Sequence, residues 1–459
     1  MKKGTRIAWT AIGIIVIVLG LNYWYQATHF NKHVTVNGVA VGGMNAQQAY
    51  HKLSSTKISN NVYLNGHKIY TGIAHDAGFT SADQVKVKAA LKKQVTFFPS
   101  SKQRSLTIQP SNANKSAAKE MRAAVNDKIA ILNQTRTKPV DAKVTWADNH
   151  VSVIQPKKGN YYDEQRLANY LRHHQYDATI KLPTYYLQPL GPGSATIKRE
   201  QKKLQALNNR QVTYQVEDKQ YKFNADQVIS KATYDGSYHF DTRKLNSKIR
   251  EINEKQATLG KPFKFRTHAD KEIKTATGGS YGWKINTHKA GQSLAKALLD
   301  NKSTVNAKAD LEGRGYTAHG LGYGVTKNNG LGNTYVEVSI EQQHAWFYKN
   351  GKLAYSADIV TGKHSTGEDT PKGVWYILYQ QKNATLKGSS KSGHTYSQPV
   401  KYWSPFTDSG DGFHDAPWRS NWSPSAYLSD GSNGCCNMHP GDAGPAFEAM
   451  ETHEPVIIY

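Results

Sequence analysis

Cysteine is almost absent from this chain. The only two in 459 residues, Cys435 and Cys436, are adjacent, so no separated pair exists to cross-link the fold and stability has to come from ordinary apolar cores. Adjacent thiols make a poor chelate, and no His-x-x-x-His lies near them, so a zinc hydrolase is not supported and no metal or cofactor is expected. Acidic residues are also in short supply: 35 Asp and Glu against 59 Lys and Arg leave a formal charge of +24. Long apolar runs are missing with one exception, Ile7 to Leu21, which contains no charge and a single hydroxyl.

That run follows Lys2, Lys3 and Arg6 and leads into Asn22-Tyr23-Trp24-Tyr25, a basic flank and an aromatic collar suited to a membrane span with its N-terminus in the cytoplasm. Signal-peptide cleavage needs small residues, and Trp24-Tyr25-Gln26-Ala27-Thr28 offers mostly bulky ones, so an uncleaved single-pass anchor is expected, with the rest of the chain outside the cell membrane. In that location the positive charge fits teichoic acids, anionic lipid headgroups and carboxylate-bearing wall peptides, and nucleic acid is not expected as a partner.

From residue 26 to about 333, short β-rich runs alternate with amphipathic helices. Val34 to Val41 alternates around Asn37-Gly38, and a helix follows from Met44 to Leu53. Asp163, Asp241 and Thr287 are placed to cap three further helices. The expected architecture is an α+β stem in two modules, residues 26–200 and 201–317, joined through a glycine-rich hinge at 318–333 to a mainly-β, sandwich-like domain at 334–459. An anchor at 7–25 and a cytoplasmic tail at 1–6 precede them. In the last domain Val336, Val338 and Ile340 alternate with polar residues, and Asn350-Gly351 supplies the turn of a type I′ hairpin.

The chemistry concentrates near the C-terminus. A histidine block, His414-Asp415-Ala416-Pro417-Trp418-Arg419, precedes Ser432-Asn433-Gly434-Cys435-Cys436-Asn437. A thiol behind a glycine-opened turn with an imidazole upstream is a pattern for nucleophilic catalysis. Residues 334–459 resemble the L,D-transpeptidase catalytic domain, the YkuD-like fold. In that family a histidine-containing block precedes Ser-His-Gly-Cys, an apolar residue, and Asn or Arg. Asp369-Thr370-Pro371-Lys372-Gly373 is similar to its Thr-Pro-x-Gly strand entry. The stem resembles, more loosely, the peptidoglycan-binding modules that precede this domain in Gram-positive members.

The resemblance implies two-step acyl transfer on peptidoglycan stem peptides. Cys435 thiolate would attack the carbonyl before the terminal D-alanine of a tetrapeptide, and an acceptor amine would resolve the thioester. His414 would shuttle the proton, Asp415 would orient the ring through its main chain, and backbone N–H groups around Gly434 and Cys435 would meet the oxyanion, with Asn433 nearby. Tyr402, Trp403, Trp418, Arg419, Ser432 and Asn437 are the candidate substrate contacts. Cys436 is read as a core residue. One position departs from the pattern: Asn433 stands where the family carries histidine, and an amide cannot carry a proton between groups. That departure is the argument for an inactive wall-binding protein, and an L,D-carboxypeptidase of the same fold, which hands the thioester to water instead of an amine, also stays open beside the transpeptidase. Ser54-Ser55-Thr56-Lys57 has the spacing of a serine acyltransferase motif, but no Lys-Thr-Gly follows it.

Overall fold

The computed structural model describes every residue except Met1, Val95, Ser392 and His394, with backbone alone for residues 2–8. The side chains of Lys2, Lys3 and Arg6, the basic flank of the expected tail, therefore lie outside the described residues. The first helix runs Lys2–Thr28, and its segment Trp9–Thr28 is long and apolar enough to cross a membrane by length and composition. Its apolar residues, Ile14, Ile15, Val16 and Ile17 among them, are exposed.

The chain divides into two compact units, residues 1–143 with 154–197, and residues 144–153 with 198–459. The first unit holds two cores. Val34–Val36 pairs antiparallel with Val39–Ala40 across Asn37-Gly38, whose positive φ values of 48° and 75° make the tight turn, and parallel with Arg104–Leu106. Helices Ala46–Ser55, capped by Asn45, and Gln84–Lys93 cover this sheet through Leu53, Val87 and Leu91. The second core gathers Val62 and Leu64 with Met121 and Val125 of helix Lys115–Asn133 and Leu167 and Leu171 of helix Glu164–His174. That last helix starts as expected, with Asp163 accepting from the Arg166 N–H at 2.9 Å.

In the second unit the hairpin Lys143–Ala147 and His150–Ile154 joins the strands Lys231–Tyr234 and Tyr238–Asp241. Trp146, fully buried, donates from its indole to Asn208 at 2.7 Å, so residues from the middle of the first stretch complete the packing of the second. Two caps differ from expectation by local geometry. Asn286 rather than Thr287 accepts the Lys289 N–H at the head of Thr287–Leu299. Asp241 ends a strand and accepts from the Arg243 N–H, ahead of helix Leu245–Gln256. The glycine-rich stretch expected to hinge is instead tied down: Tyr281 donates to the Gly330 carbonyl, Leu321 N–H to Gly282, Gly324 N–H to Glu217, and Leu331 is buried.

The last domain is mainly β. Nine strands form one curled sheet, in the order Gly373–Tyr376, Pro455–Ile458, Tyr335–Ser339, His344–Lys349, Lys352–Val360, Cys436–Met438, Gly412–Asp415, Thr395–Pro405, Gln381–Ser389. Asn350 and Gly351 turn the hairpin with φ of 51° and 79°. The core gathers Val336, Phe347, Ile359, Phe413, Cys436 and Val456 beneath helix Pro440–Ala449. The first strand alternates in sequence yet is buried on both faces: Glu337, at 0% exposure, accepts from the His268 N–H at 3.0 Å and the Tyr459 hydroxyl at 2.6 Å. A buried carboxylate is tolerable only with such partners, and His268 in turn stacks on Trp346 at 3.6 Å.

Candidate active site

His414 is placed by two neighbours in the sheet. It pairs antiparallel with Trp403 and parallel with Asn437, so the histidine block and the cysteine block, separated by a long loop in sequence, run side by side. Cys435 sits one residue before the strand Cys436–Met438, at the end of a tight turn. Gly434 there has φ of 121°, and a Cβ would come within 2.1 Å of an Asp411 carboxylate oxygen, so only glycine fits. The turn is held by hydrogen bonds: Gly434 N–H donates to Ser432 Oγ at 3.1 Å, Ser432 Oγ donates to the Cys435 carbonyl at 2.5 Å, and Thr370 Oγ1 donates to the Gly434 carbonyl at 2.7 Å.

Cys435 is half-buried and borders a cavity of about 340 Å³, whereas Cys436 is fully buried in the apolar core. His414, Trp418, Arg419, Ser432, Asn433 and Asn437 line the same cavity. Tyr402 and Trp403 do not. Tyr402 packs on Phe447, its ring centroid 5.3 Å away, and Trp403 lies in the small apolar cluster with Ala384 and Val400 against which Cys435 packs. Sequence reasoning missed Tyr396 and Gln398 on strand Thr395–Pro405, Leu386 on its partner, and Lys363, which complete the wall. The alternation of Tyr396 and Gln398 along that strand was the available signal.

The ring is fixed by main chain: His414 Nδ1 donates to the Asp415 carbonyl at 2.9 Å. The Asp415 carboxylate is occupied elsewhere, accepting the Lys401 and Tyr402 N–H groups at 2.7 and 2.9 Å. This leaves Nε2 as the acceptor nitrogen. Asn437, in the amide orientation that satisfies its neighbours, donates to Nε2 at 3.1 Å while its oxygen accepts from Arg419 Nε at 3.1 Å. Trp418 stacks on the ring at 5.8 Å. The thiol donates to the Gly410 carbonyl at 3.7 Å, and among the described hydrogen bonds none joins it to the imidazole. Asn433 and Tyr396 line the same cavity.

Electrostatics set the resting protonation. Burial, reinforced by the Asp411 carboxylate, pushes the Cys435 thiol up to about 12, with the Gly412 N–H pulling weakly the other way. Burial lowers His414 below its ordinary value, opposed by the Asp415 carbonyl and carboxylate. The site at neutral pH is thus a neutral thiol beside a neutral imidazole able to take its proton. Such a pair can react if the sulfur gives up its proton as it attacks. Burial also lowers Arg419, which stays cationic and donates to the Asp430 carbonyl.

Residues 333–458 match the family described as YkuD, L,D-transpeptidase catalytic domain. Among solved structures, the chain is similar to the Ldtfm–avibactam carbamoyl enzyme at 30% identity, covering 57% of this chain and 98% of that one with a TM-score of 0.44. A cysteine-to-serine mutant of the Enterococcus faecium L,D-transpeptidase matches at 30% identity, over 56% of this chain and 98% of that one, with a TM-score of 0.43. The catalytic domain of the E. faecium enzyme acylated by ertapenem matches at 40% identity, over 28% and 98%, with a TM-score of 0.26. No curated protein matches the chain. By its family match, and by identity running the length of those relatives, the chain belongs to the L,D-transpeptidases, with residues 333–458 as its catalytic domain.

Proposed function

We propose that this protein is a membrane-anchored L,D-transpeptidase that cross-links peptidoglycan by cysteine acyl transfer. The observation that supports this best is that the Cys435 thiol and the oriented, neutral His414 ring open onto one cavity. With a tetrapeptide stem in that cavity, Cys435 Sγ attacks the carbonyl before the terminal D-alanine and its proton passes to His414 Nε2. The Gly434 N–H is already engaged by Ser432, so the Cys435 N–H is the donor assigned to the oxyanion. Nε2 then returns the proton to the departing D-alanine amine, leaving a thioester. An acceptor amine attacks the thioester, Nε2 takes its proton, and the sulfur leaves reprotonated.

Arg419 and Lys363, both on the cavity wall, supply positive charge for the donor's carboxylates, and Trp418 provides an apolar face. Asn437 is a positioning residue: its amide bridges Arg419 and Nε2, and the hydrogen bond it donates to Nε2 gives way when that nitrogen takes the thiol proton. Asn433 does not replace the family histidine as a base; with His414 present, the mechanism does not need it to. Residues 26–317 are assigned to wall binding and the helix Lys2–Thr28 to anchoring, which puts the catalytic domain outside the cell.

Mass spectrometry of purified tetrapeptide muropeptides incubated with the full chain tests the reading. Cross-linked dimers with release of D-alanine are the expected products. Tripeptides alone would make the protein a carboxypeptidase, and unchanged substrate would leave a wall-binding protein. Ertapenem, which acylates the E. faecium domain, is expected to add its mass to Cys435 here.

A further inference from the structure

The membrane helix is not the only apolar surface at its end of the molecule. Phe97 and Phe98, in the loop after helix Gln84–Lys93, are 49% and 63% exposed, and Tyr23 and Trp24 at the end of the apolar run are 48% and 61% exposed. The two sets are side by side. The Phe97 ring lies 5.8 Å from that of Tyr23, the Phe98 ring packs edge-on against Phe97 at 4.9 Å, and Asn22 Nδ2 donates to the Phe97 carbonyl at 3.0 Å. Four aromatic side chains from two segments far apart in sequence therefore share one level along the helix.

Buried amides hold the loop at that level. Gln94, 1% exposed, donates to the His29 carbonyl at 3.1 Å and accepts the Asn31 N–H at 3.1 Å. Asn31, 8% exposed, accepts the Ser100 N–H at 3.1 Å and donates to Thr96 Oγ1 at 3.3 Å, and Thr96 Oγ1 donates to the Phe98 carbonyl at 2.7 Å. A loop fixed at both ends by polar side chains withdrawn from water, with two phenylalanines turned outward, is built for an apolar neighbour. Lys92, Lys93, Lys102 and Arg104 flank it and are exposed, a cationic border of the kind that long side chains present to lipid phosphates.

We propose that Phe97 and Phe98 form a second membrane contact, seated in the interface of an anionic bilayer beside the aromatic collar of the helix. The occupant is lipid rather than a partner protein because the patch is continuous with the residues that leave the bilayer and its rim is basic. Two attachment points, one spanning and one interfacial, restrict how the first core of the stem tilts above the membrane, which a lone helix end does not. This inference rests on the anchoring role given above to Lys2–Thr28.

The test uses the full chain in phosphatidylglycerol–phosphatidylcholine nanodiscs, with Cys435 and Cys436 replaced by alanine and one spin-labelled cysteine introduced as Phe98→Cys, Val16→Cys or Ile73→Cys. Collision with oxygen and with a water-soluble nickel chelate reports immersion. Val16 is expected to read as lipid, Ile73, 89% exposed, as water, and Phe98 as interface. A lipid reading at Val16 with an aqueous one at Phe98 would overturn this inference alone; an aqueous reading at Val16 would remove the anchor and the inference together. In the unmodified chain, chymotrypsin should cut at Tyr316, 64% exposed, at least about tenfold faster than between Phe97 and Phe98 when the protein sits in vesicles. Equal cutting at the two sites would also defeat the proposal.

Discussion

Residues 1–333 carry 50 Lys and Arg against 22 Asp and Glu, whereas residues 334–459 carry 9 against 13. All of the chain's excess positive charge thus lies ahead of the catalytic domain, and the domain that does chemistry is slightly acidic. Both regions bury carboxyl groups, Asp83, Asp177 and Asp310 ahead of the catalytic domain and Glu337, Asp415 and Glu454 within it, and burial pushes Glu454 up to about 8, so it stays largely protonated at neutral pH. The catalytic domain differs in burying a histidine, His414, as well. Exposed charge acts at a distance and is screened by salt, while buried charge acts on its neighbours and is not. The excess positive charge of the first region is open to salt, whereas the His414 ring of the second is held away from it.

The sharpest way to separate the two is through the adjacent cysteines. Cys435→Ala is expected to lower turnover by at least about 10³-fold while leaving wall association unchanged, because the substitution touches only the cavity. Cys436→Ala should keep most of the activity and lose roughly 1–2 kcal/mol of stability from the core, measured by denaturant unfolding. Equal losses of turnover in the two variants would break the assignment of the nucleophile.

Salt is the second lever. Association of the full chain with an anionic wall polymer is expected to weaken on the order of tenfold between about 50 and 200 mM salt. Turnover on soluble muropeptides should change by less than about twofold across the same range, because the reacting groups are withdrawn from solvent. A turnover that falls in parallel with binding would show that the stem's charge reaches the cleft.

A pH profile then tests the buried pair. The imidazole must be unprotonated to accept a proton, and burial places its transition below 6.5. Acylation should therefore rise with pH to a plateau already reached near neutrality. With the thiol at about 12, no second limb from thiolate formation should appear below about pH 10. The same shift bears on stability: as pH falls below 6.5 the unfolded chain takes up the His414 proton before the folded one does, so the catalytic domain loses stability on acidification. A rate that climbs steadily from pH 7 to 10 would indicate that free thiolate, rather than the neutral pair, is the reacting species.

The cysteine block and the histidine block were legible in the sequence because each is a contiguous motif, and the two run side by side in the sheet. The sequence also placed the Asn350-Gly351 hairpin, whose turn chemistry is local. What it could not reveal depends on distant strands meeting. Tyr396 and Leu386 reach the cavity only because Thr395–Pro405 pairs with Gly412–Asp415, and Tyr402 and Trp403 leave it through the same pairing. Val336 and Val338 alternate with polar residues in sequence, yet the Glu337 between them is buried against His268 and Tyr459, partners far away in sequence. The hinge expected from five glycines is pinned by tyrosine and glutamate contacts that composition cannot foresee.

Asp411 is the smallest lever and the one that joins the two kinds of charge. It is half-buried, accepts from Thr407 and Ser409 at 2.8 and 3.0 Å, and its negative charge helps hold the proton on Cys435. Asp411→Asn keeps the size and an acceptor oxygen beside Gly434, so the turn should persist while the thiol becomes more acidic. Because desolvation, the larger cause, remains, the expected gain is modest: iodoacetamide alkylation of Cys435 at a fixed alkaline pH should speed up a few-fold, a full tenfold requiring one pKa unit or about 1.4 kcal/mol. Added salt should not reproduce that gain in the unsubstituted protein, since Asp411 lies within contact range of the turn, well inside the roughly 8 Å over which ions screen at physiological strength. If salt alone accelerates alkylation as much as the substitution does, the carboxylate acts through solvent, and the catalytic domain's charge differs from the stem's only in sign.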